Sequence, residues 1–228
     1  MAKESTGFPS VVYVLDKISR ITDSIVSAAA EALPEYRLQK ARKYLYEKDR
    51  RSSILAFWLL QCALREHCQI TVLPDIAVTK TGKPFFMDSS IHFNISHSAD
   101  CVCCGISSCE IGVDIENYVK QYDDLLNYTM THEERMLIQK TPEPCEQFTR
   151  LWTLKESYFK CTSQGLTGSL TALNFADCPG SVFSKYSHFF TTVSMEDCCL
   201  SVCTIQPHPL IIHRTAQEYL NHFTDPSL

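Results

Sequence analysis

The stretch Ile111-Gly112-Val113-Asp114-Ile115-Glu116 is the most informative about the fold. Its β-branched residues alternate with other residue types, a pattern typical of a β-strand with one face in the core. Because successive strand side chains point to opposite faces, Asp114 and Glu116 share the face that the β-branched residues leave free. Gly112 has no side chain and allows another backbone to approach closely. The stretch therefore predicts a buried strand that presents two carboxylates to a neighbouring element.

A second stretch supplies a third carboxylate. It reads Leu151-Trp152-Thr153-Leu154-Lys155-Glu156-Ser157-Tyr158-Phe159-Lys160. Trp152, Glu156 and Lys160 are spaced four residues apart and lie along one stripe of a predicted helix. An acidic pair on a strand, faced by a helical Glu beside a Lys, can hold a hard cation against an anionic ligand. The alternative is an i,i+4 surface ion pair, but so apolar a helix has little exposed surface for one.

Composition and charge narrow the class of protein. The chain has 228 residues, 45% of them hydrophobic, enough for one large domain or two small ones. Its formal net charge of -5 provides no overall positive field for nucleic acid or an anionic membrane. No apolar run approaches the ~20 residues that span a bilayer, and the N-terminus lacks a signal-peptide core. We therefore expect a cytoplasmic protein that binds neither nucleic acid nor membrane.

Twelve cysteines are many for a cytosolic chain and raise the question of zinc. Cys101 and Cys104 have the spacing Cys-x-x-Cys, and a second group contains Cys198, Cys199 and Cys203. Both groups lie in apolar, strand-like runs, where adjacent residues point to opposite faces and would scatter metal ligands. We therefore favour buried thiols that pack as small apolar side chains, and zinc remains the alternative.

The order of the remaining patterns predicts the architecture. Helices are expected at 17–32, 36–67 with a break near Asp49, from 131 onward, 144–161 and 215–223. Strands are expected at 11–15, 91–96, 101–106, 111–116 and within 181–206. Helices precede strands in both halves, which predicts an α+β fold of two similar lobes in a pseudo-twofold arrangement. Each lobe would be a small antiparallel sheet packed with helices, the first formed by 1–108 and the second, with the metal site, by 109–228.

Polar residues at a predicted strand end form a further candidate site. The segment Phe93-Asn94-Ile95-Ser96-His97-Ser98 places hydroxyls and an imidazole beside a polar loop, where they can bind a phosphate. A Ser/His hydrolase is the rival interpretation, but the chain has no Gly-x-Ser-x-Gly elbow. Without a Walker loop or a Gly-x-Gly-x-x-G motif, any phosphate binding must use side chains. Basic residues available for this, or for a solvated helix face, are Arg37, Lys40, Arg42, Lys43, Arg50, Arg51 and Lys83.

Together these segments resemble the 4′-phosphopantetheinyl transferases, specifically the two-lobed surfactin-synthetase-activating (Sfp) type. The resemblance covers about 34–175, and the strand and helix quoted first are the family's signature, with matching order and separation. It implies an enzyme that moves 4′-phosphopantetheine from coenzyme A to a serine of an apo acyl or peptidyl carrier protein. Adenosine 3′,5′-bisphosphate is the second product. The matching segments are Gly82-Lys83-Pro84, Phe93 to Ser98, Gly112 to Glu116, and Trp152 to Lys160.

The resemblance also implies roles for individual residues. Asp114, Glu116 and Glu156 would hold Mg²⁺, or Mn²⁺ in its place, on the pyrophosphate of coenzyme A. Glu156 would in addition be the leading candidate for the catalytic base. Lys160 and His97 would offset negative charge on the departing bisphosphate. Coenzyme A contacts are implied for Lys83, Ser96, His97, Lys160, Arg37, Lys40, Arg51 and Ser53.

The resemblance implies coenzyme A and an apo carrier protein as partners, and we expect a monomer. The carrier's pathway, whether fatty acid, polyketide, nonribosomal peptide or lysine metabolism, is not written in the sequence. One departure follows the signature helix, where the family often has Gly-x-Gly-Leu and this chain has Ser163-Gln164-Gly165-Leu166. Two alternatives stay open, a metal-dependent phosphohydrolase acting on coenzyme A and a non-catalytic module that binds coenzyme A or a carrier.

Overall fold

The computed structural model describes residues 8–87, 90–164 and 169–224. The helices are α1 (Asp23–Glu31), α2 (Glu35–Arg42), α3 (Glu47–Cys68), α4 (Asp123–Thr129), α5 (His132–Lys140), α6 (Pro144–Thr162) and α7 (Ala216–Thr224). The strands are β1 (Val11–Asp16), β2 (Ile76–Val78), β3 (Pro84–Phe86), β4 (His92–His97), β5 (Cys101–Ser107), β6 (Ile111–Asn117), β7 (Val182–Lys185), β8 (His188–Ser194), β9 (Cys198–Thr204) and β10 (Leu210–His213).

Within these ranges the strands form two four-stranded sheets and one hairpin. The first sheet has the order β10-β1-β5-β4, the second has the order β6-β9-β8-β7, and β2 pairs with β3. Strand pairs are antiparallel, except that β1 and β10 run parallel. A long helix packs on each large sheet, α3 on the first and α6 on the second. The predicted two-lobed α+β fold is therefore confirmed.

Helix α3 forms the centre of the first lobe. Between Leu55 and Leu64 nearly every side chain is buried, and Trp58 is fully enclosed, as the apolar sequence predicts. The break in the predicted helix lies between Arg42 and Glu47 rather than near Asp49. Asp49 instead lies in the first turn of α3, where a carboxylate stabilises the positive end of the helix dipole.

The first predicted helix is shorter than expected. It begins at Asp23, whereas Lys17 has a left-handed backbone with φ 52° and ψ 39°. Asp100 holds this segment in place, because its carbonyl accepts from the Ile18 amide at 3.2 Å and its carboxylate from the Ser19 amide at 2.6 Å. Tertiary hydrogen bonds thus override the helical spacing that the sequence shows from residue 17.

The C-terminal segment returns to the first lobe. Strand β10 pairs with β1, with Leu210 opposite Val11. Tyr219 of α7 is buried in the first core, and its hydroxyl donates to the carbonyls of Val14 and Ile212, at 3.0 and 2.8 Å. Residues 210–224 thus pack on the first sheet, whereas the division of the chain into lobes 1–108 and 109–228 stays a prediction. Local sequence patterns do not tell which sheet edge a late strand joins.

A dry apolar layer joins the two sheets. Gly105 of β5 makes the close approach possible, because a Cβ there would lie 2.9 Å from side-chain atoms of both Ile111 and Val113. The layer contains Val12, Val14, Cys101 and Cys103 from the first sheet and Ile111, Val113, Ile115, Cys198, Leu200 and Val202 from the second. Both lobes therefore meet along β6, the strand that carries the predicted acidic pair.

The cysteines of β5 divide between two faces. Cys101 and Cys103 lie in the layer between the sheets, whereas Cys104 lies in the core against α3. All three are fully buried free thiols, so the interpretation as packed side chains is confirmed for this group. Among the described helices, none has the length and apolar character needed to cross a membrane.

Candidate active site between the lobes

Strand β6 and helix α6 come into backbone contact at Gly112. A Cβ at this position would lie 2.0 Å from the Ser157 carbonyl oxygen and 2.3 Å from the Cys161 amide nitrogen, so only glycine fits. This close approach agrees with the sequence prediction for Gly112. It brings Asp114, two residues further along β6, opposite Lys160 of α6.

Asp114, Lys160 and Ser96 form a hydrogen-bonded cluster that spans both lobes. Oδ1 of Asp114 accepts from Nζ of Lys160 at 2.6 Å and from Oγ of Ser96 at 2.8 Å. Nζ of Lys160 also donates to Oγ of Ser96 at 2.9 Å. Burial alone would lower the pKa of Lys160, but the charge and hydrogen bond of Asp114 outweigh it and raise that pKa. Lys160 therefore remains a cation, and the structure brings three predicted site residues together.

The other two carboxylates lie in the same electrostatic environment. Burial, followed by the charge of Asp114, raises the pKa of Glu156 to about 7. The same two causes raise the pKa of Glu116 to about 7, although Oγ of Ser98 donates to its Oε2 at 2.6 Å and opposes the shift. Both groups therefore change protonation state near neutral pH, as a general base does.

Two carboxylate oxygens of this cluster are buried without a partner. Among the described residues, neither Oδ2 of Asp114 nor Oε1 of Glu156 has a hydrogen-bond partner. A buried polar atom without a partner is costly, and a hard cation satisfies carboxylate oxygens of this kind. The residues therefore fit Mg²⁺. Asp114, Glu116 and Glu156 do not each bring an oxygen to within 4.8 Å of the others, so these side chains would have to move closer together to share one ion.

A cleft of about 470 Å³ opens beside the cluster. Two lysines and Glu156 supply charge on its wall, and Ile95 and Phe159 supply apolar surface. A concave site with apolar walls and a few convergent polar groups is typical of small-molecule binding. The first lobe contributes Thr81, Gly82, Lys83, Pro84, Asn94 and Ile95, and the second contributes Glu156, Phe159, Lys160 and Ser163.

Lys83 connects the lobes at one end of this cleft. Its Nζ donates to Oε2 of Glu110 at 2.8 Å and to the carbonyls of Ile111 and Cys161 at 3.4 Å. The turn that carries it is fixed further by Oγ1 of Thr81, which donates to the Ser163 carbonyl at 3.1 Å. The predicted ligand-binding turn thus lies against the last residues of α6.

His97 lies at the exposed end of β4, near Lys160. Burial of the ring and the charge of Lys160 both lower its pKa, which favours the neutral imidazole. The carboxylate of Asp49 acts in the opposite direction. His97 is therefore in electrostatic contact with the cluster but is not hydrogen-bonded within it.

Four predicted coenzyme A contacts do not line the cleft. The guanidinium of Arg37 is buried over the Phe57 ring, 3.2 Å from its centroid. Arg51 is bound to the Asp23 carboxylate and the Ile21 carbonyl. Lys40 is exposed on α2 and Ser53 is buried in α3. The role of these four toward coenzyme A stays a prediction.

Alternate side chains of β4 and of the residue that follows it all contact β6, a feature that sequence reasoning missed. Oδ1 of Asn94 accepts from the Val113 amide at 2.9 Å, and Oγ of Ser98 accepts from the Asn117 amide at 3.3 Å as well as donating to Glu116. With Ser96 between them, these residues bind β6 through side chains where no backbone ladder exists. The period of two at 94, 96 and 98 is the signal that could have identified this contact face.

Comparisons with known proteins agree with this geometry. A model described as 4′-phosphopantetheinyl transferase, N-terminal, matches residues 21–109, and the 4′-phosphopantetheinyl transferase superfamily model matches residues 110–209. The chain is 34% identical over 131 residues to the 4′-phosphopantetheinyl transferase gsp of Aneurinibacillus migulanus, covering 54% of this chain and 53% of that protein. It is 30% identical over 139 residues to the 4′-phosphopantetheinyl transferase Sfp of Bacillus subtilis (strain 168), covering 59% and 61%.

A third relative is matched over a longer span. The chain is 26% identical over 174 residues to a putative 4′-phosphopantetheinyl transferase of Haemophilus influenzae, covering 72% of each protein. The matches to the first two relatives span only 53% and 61% of those proteins.

Proposed function

Since the chain belongs to the 4′-phosphopantetheinyl transferase superfamily, we propose that it transfers 4′-phosphopantetheine from coenzyme A to a serine of an apo carrier protein. The products are the holo-carrier and adenosine 3′,5′-bisphosphate. One observation supports this most directly. Asp114, Glu156 and Lys160 lie together between the lobes, beside a cleft that both lobes line.

The cationic side chains of the cleft suit the charge of coenzyme A. Phosphoryl transfer depends mainly on positioning and on neutralising charge. Lys83 and Lys160 line the cleft from opposite lobes, so the cleft offers two cationic side chains to an anionic ligand. Ser96, which both donates and accepts at this point, orients Lys160. We therefore assign phosphate binding to Ser96 and Lys160, and a contact with the adenine and ribose of coenzyme A to Lys83.

The carboxylates suit a divalent cation. We assign Mg²⁺, with Mn²⁺ as a substitute, to Asp114, Glu116 and Glu156, on the basis of the two unpartnered buried oxygens. When bound, such an ion polarises the pyrophosphate and reduces repulsion between phosphate oxygens and the carboxylates.

Proton transfer falls to Glu156. Without a bound ion, burial raises the pKa of the Glu156 carboxyl to about 7, so this carboxylate is a stronger base than an ordinary one. The base removes the proton of the carrier serine as the serine oxygen bonds to phosphorus, and the bond from phosphorus to the bisphosphate oxygen breaks. Lys160, held as a cation by Asp114, offsets charge on that departing group, and we assign His97, which interacts electrostatically with Lys160, to the same task.

A carrier-panel assay tests the proposal. Purified protein is incubated with coenzyme A, Mg²⁺ and a broad set of apo-carriers, and intact mass spectrometry detects addition of phosphopantetheine. We expect modification of at least one carrier, lost in an Asp114→Asn variant and kept in Asp124→Asn, which changes an exposed acid of α4. Release of phosphate from coenzyme A without any carrier would favour a phosphohydrolase. Saturable binding of coenzyme A without turnover would favour a non-catalytic module.

We also propose that the protein acts as a cytoplasmic monomer whose partners are coenzyme A and the carrier, with no nucleic acid or membrane. One chain supplies both walls of the cleft, so no second copy is needed to complete it. The twelve free thiols suit a reducing compartment, and the net charge of -5 does not favour polyanions.

A further inference from the structure

A second group of ligand-type side chains lies on the sheet-facing side of α6. Cys161, His188 and Cys203 each bring one ligand atom to within 4.8 Å of the others. Both cysteines are buried, at 1% and 0% exposure, and His188 is half-buried. In the described part of the chain no other three His, Cys, Asp or Glu residues are so close. We propose that these residues bind Zn²⁺ through two thiolates and one imidazole.

The close contact at Gly112 creates this site. Gly112 lies opposite Cys203 in the β6–β9 register, and it also lies directly against the backbone of Cys161. The absent side chain therefore lets the end of α6 settle over β9, with the two thiols facing each other. Cys161 follows Lys160, and one helical residue turns by about 100°, so the thiol and the ammonium point to different sides of α6. The zinc site and the carboxylate cluster are thus separate.

The imidazole is oriented as metal-binding histidines are. Nδ1 of His188 lies 2.7 Å from the carbonyl oxygen of Tyr186, and since a carbonyl only accepts, Nδ1 is the donor. This fixes the tautomer whose Nε2 has a free lone pair, and a backbone carbonyl is a common outer partner of a metal-bound histidine. The Tyr158 ring packs against the imidazole with centroids 5.2 Å apart and holds its plane.

The two thiols are hydrogen-bonded to each other and lie near a cationic side chain. Their hydrogen bond lowers the pKa of Cys161, whereas burial and the same hydrogen bond raise the pKa of Cys203. The Lys83 ammonium, which donates to the Cys161 carbonyl, favours both thiolates. Two thiolates neutralise Zn²⁺, and such ligands select zinc over the hard Mg²⁺.

The distances between the three ligand atoms, at most 4.8 Å, are close to those of a tetrahedral zinc site. Zinc–sulfur bonds of about 2.3 Å place two sulfur ligands roughly 3.8 Å apart, so closure requires movements of at most about 1 Å. The three residues come from α6, β8 and β9, so a bound ion cross-links the last turn of α6 to the second sheet. We therefore expect zinc to raise the melting temperature of the protein.

Cobalt provides the direct test, because tetrahedral Co²⁺ bound to thiolates absorbs strongly in the near-ultraviolet and visible. Reduced, metal-free protein is titrated with Co²⁺ in excess Mg²⁺, which occupies the oxygen site, and then with Zn²⁺. We expect one Co²⁺ per chain with thiolate charge-transfer bands, displaced by Zn²⁺. His188→Asn and Cys161→Ser should each weaken binding by roughly 100-fold.

Cys198→Ser is the matched control. Cys198 lies in β9, as Cys203 does, and is equally buried, but it faces the layer between the sheets. Its variant should therefore bind Co²⁺ as the unmodified chain does. X-ray absorption of the zinc-loaded, unmodified chain should count two sulfur ligands, a readout that needs no variant to fold. Absence of thiolate bands, equal binding by all variants, or a shell without sulfur would each overturn the proposal.

Discussion

Nζ of Lys160 lies 2.6 Å from Oδ1 of Asp114, while Oδ2 of the same carboxylate is buried and, among the described residues, has no hydrogen-bond partner. Oδ1 thus pairs with the ammonium of Lys160, and Oδ2 is available to a cation from solution. The backbone contact at Gly112 sets this distance, and Ser96 ties the pair to the first lobe. The proposed chemistry depends on this arrangement, and the following predictions test its parts.

Replacing Asp114 with asparagine should remove most activity while the fold persists. The neutral amide keeps the shape but cannot neutralise a divalent cation, so we expect turnover to fall by about 100-fold or more. The increase in melting temperature that Mg²⁺ produces should also disappear. Asp124→Asn should change neither quantity. Unchanged turnover at limiting Mg²⁺ in the Asp114 variant would remove this residue from the site.

Replacing either of two α6 lysines with methionine should impair a different property of the protein, stability in one case and turnover in the other. Lys155 and Glu134 are both 0% exposed and pair at 2.6 Å, so Lys155→Met leaves a buried carboxylate unpaired and should cost about 3–5 kcal/mol of unfolding free energy. The side chain of Lys160 is 29% exposed, so Lys160→Met should fold but lose about 100-fold in turnover. Urea denaturation and the carrier assay measure the two effects. Equal effects of both variants on stability and turnover would contradict the distinction.

Binding of Mg²⁺ should release protons near neutral pH. Glu116 and Glu156 have pKa values of about 7, so below that pH both are mainly protonated and the ion must displace protons. The apparent affinity should therefore fall as the pH drops below 7. Calorimetry in two buffers of different ionisation enthalpy measures the released protons. Proton release that does not grow on going from pH 8 to pH 7 would contradict the assignment of both carboxylates.

The same shifts determine how the metal-free protein responds to pH. For Glu156 the folded pKa of about 7 exceeds the ordinary value of 4.5, so the folded state binds more protons between these values. Its stability should therefore decrease as the pH rises through that window, and Mg²⁺ should offset the loss. Melting temperatures across this range, with and without Mg²⁺, provide the measurement, and Glu156→Gln should flatten the metal-free curve. A stability that rises steadily with pH, unaltered by Glu156→Gln, would contradict the inference.

Gly112→Ala should damage both stability and activity. The added methyl would meet backbone atoms of Ser157 and Cys161 at 2.0 and 2.3 Å, and a helix backbone cannot move as a side-chain tip can. We expect a loss of about 1–3 kcal/mol or more, together with reduced turnover as α6 shifts away from β6. Gly180→Ala is the control, because its nearest neighbour would be 3.7 Å away. Similar stability of both variants would show that the contact is looser than described.

Tyr219→Phe tests the return of the C-terminus to the first lobe. The change removes a hydroxyl that donates to the carbonyls of Val14 and Ile212 and accepts from the Val14 amide, while it keeps the ring. Because these groups are buried, we expect a loss of about 1–3 kcal/mol in urea denaturation. Tyr128→Phe, on an exposed ring of α4, should be neutral. No difference between the variants would argue that α7 does not pack as described.

Local features of the sequence were enough to predict the elements that form the site. Alternation along β6 and the four-residue spacing in α6 depend only on neighbours in the chain. The predicted start of a helix at residue 131 is also local, because a capping box begins α5 there: Thr131 accepts from the Glu134 amide at 3.2 Å, and Glu134 accepts from the Thr131 amide at 2.8 Å. Such patterns persist because each satisfies a backbone or burial requirement by itself.

What the sequence did not predict depends on contacts between distant residues. The parallel pairing of β10 with β1 and the meeting of Cys161 with Cys203 follow from the packing of whole sheets, which no local spacing encodes. The burial of Arg37 on Phe57 is similar, because a basic residue on a helix looks the same whether it faces solvent or an aromatic ring. The Gly165 and Leu166 positions of the departure after the signature helix lie outside the described residues.

The central claim is that coenzyme A is cleaved only as a carrier serine is modified, and the stoichiometry of the two products tests it most directly. Adenosine 3′,5′-bisphosphate and holo-carrier are quantified in one reaction with a carrier that the protein accepts and with its serine-to-alanine form. We predict one bisphosphate per modified serine, and neither product from the alanine form. Bisphosphate or phosphate released from coenzyme A with the alanine carrier at the same rate would contradict the account.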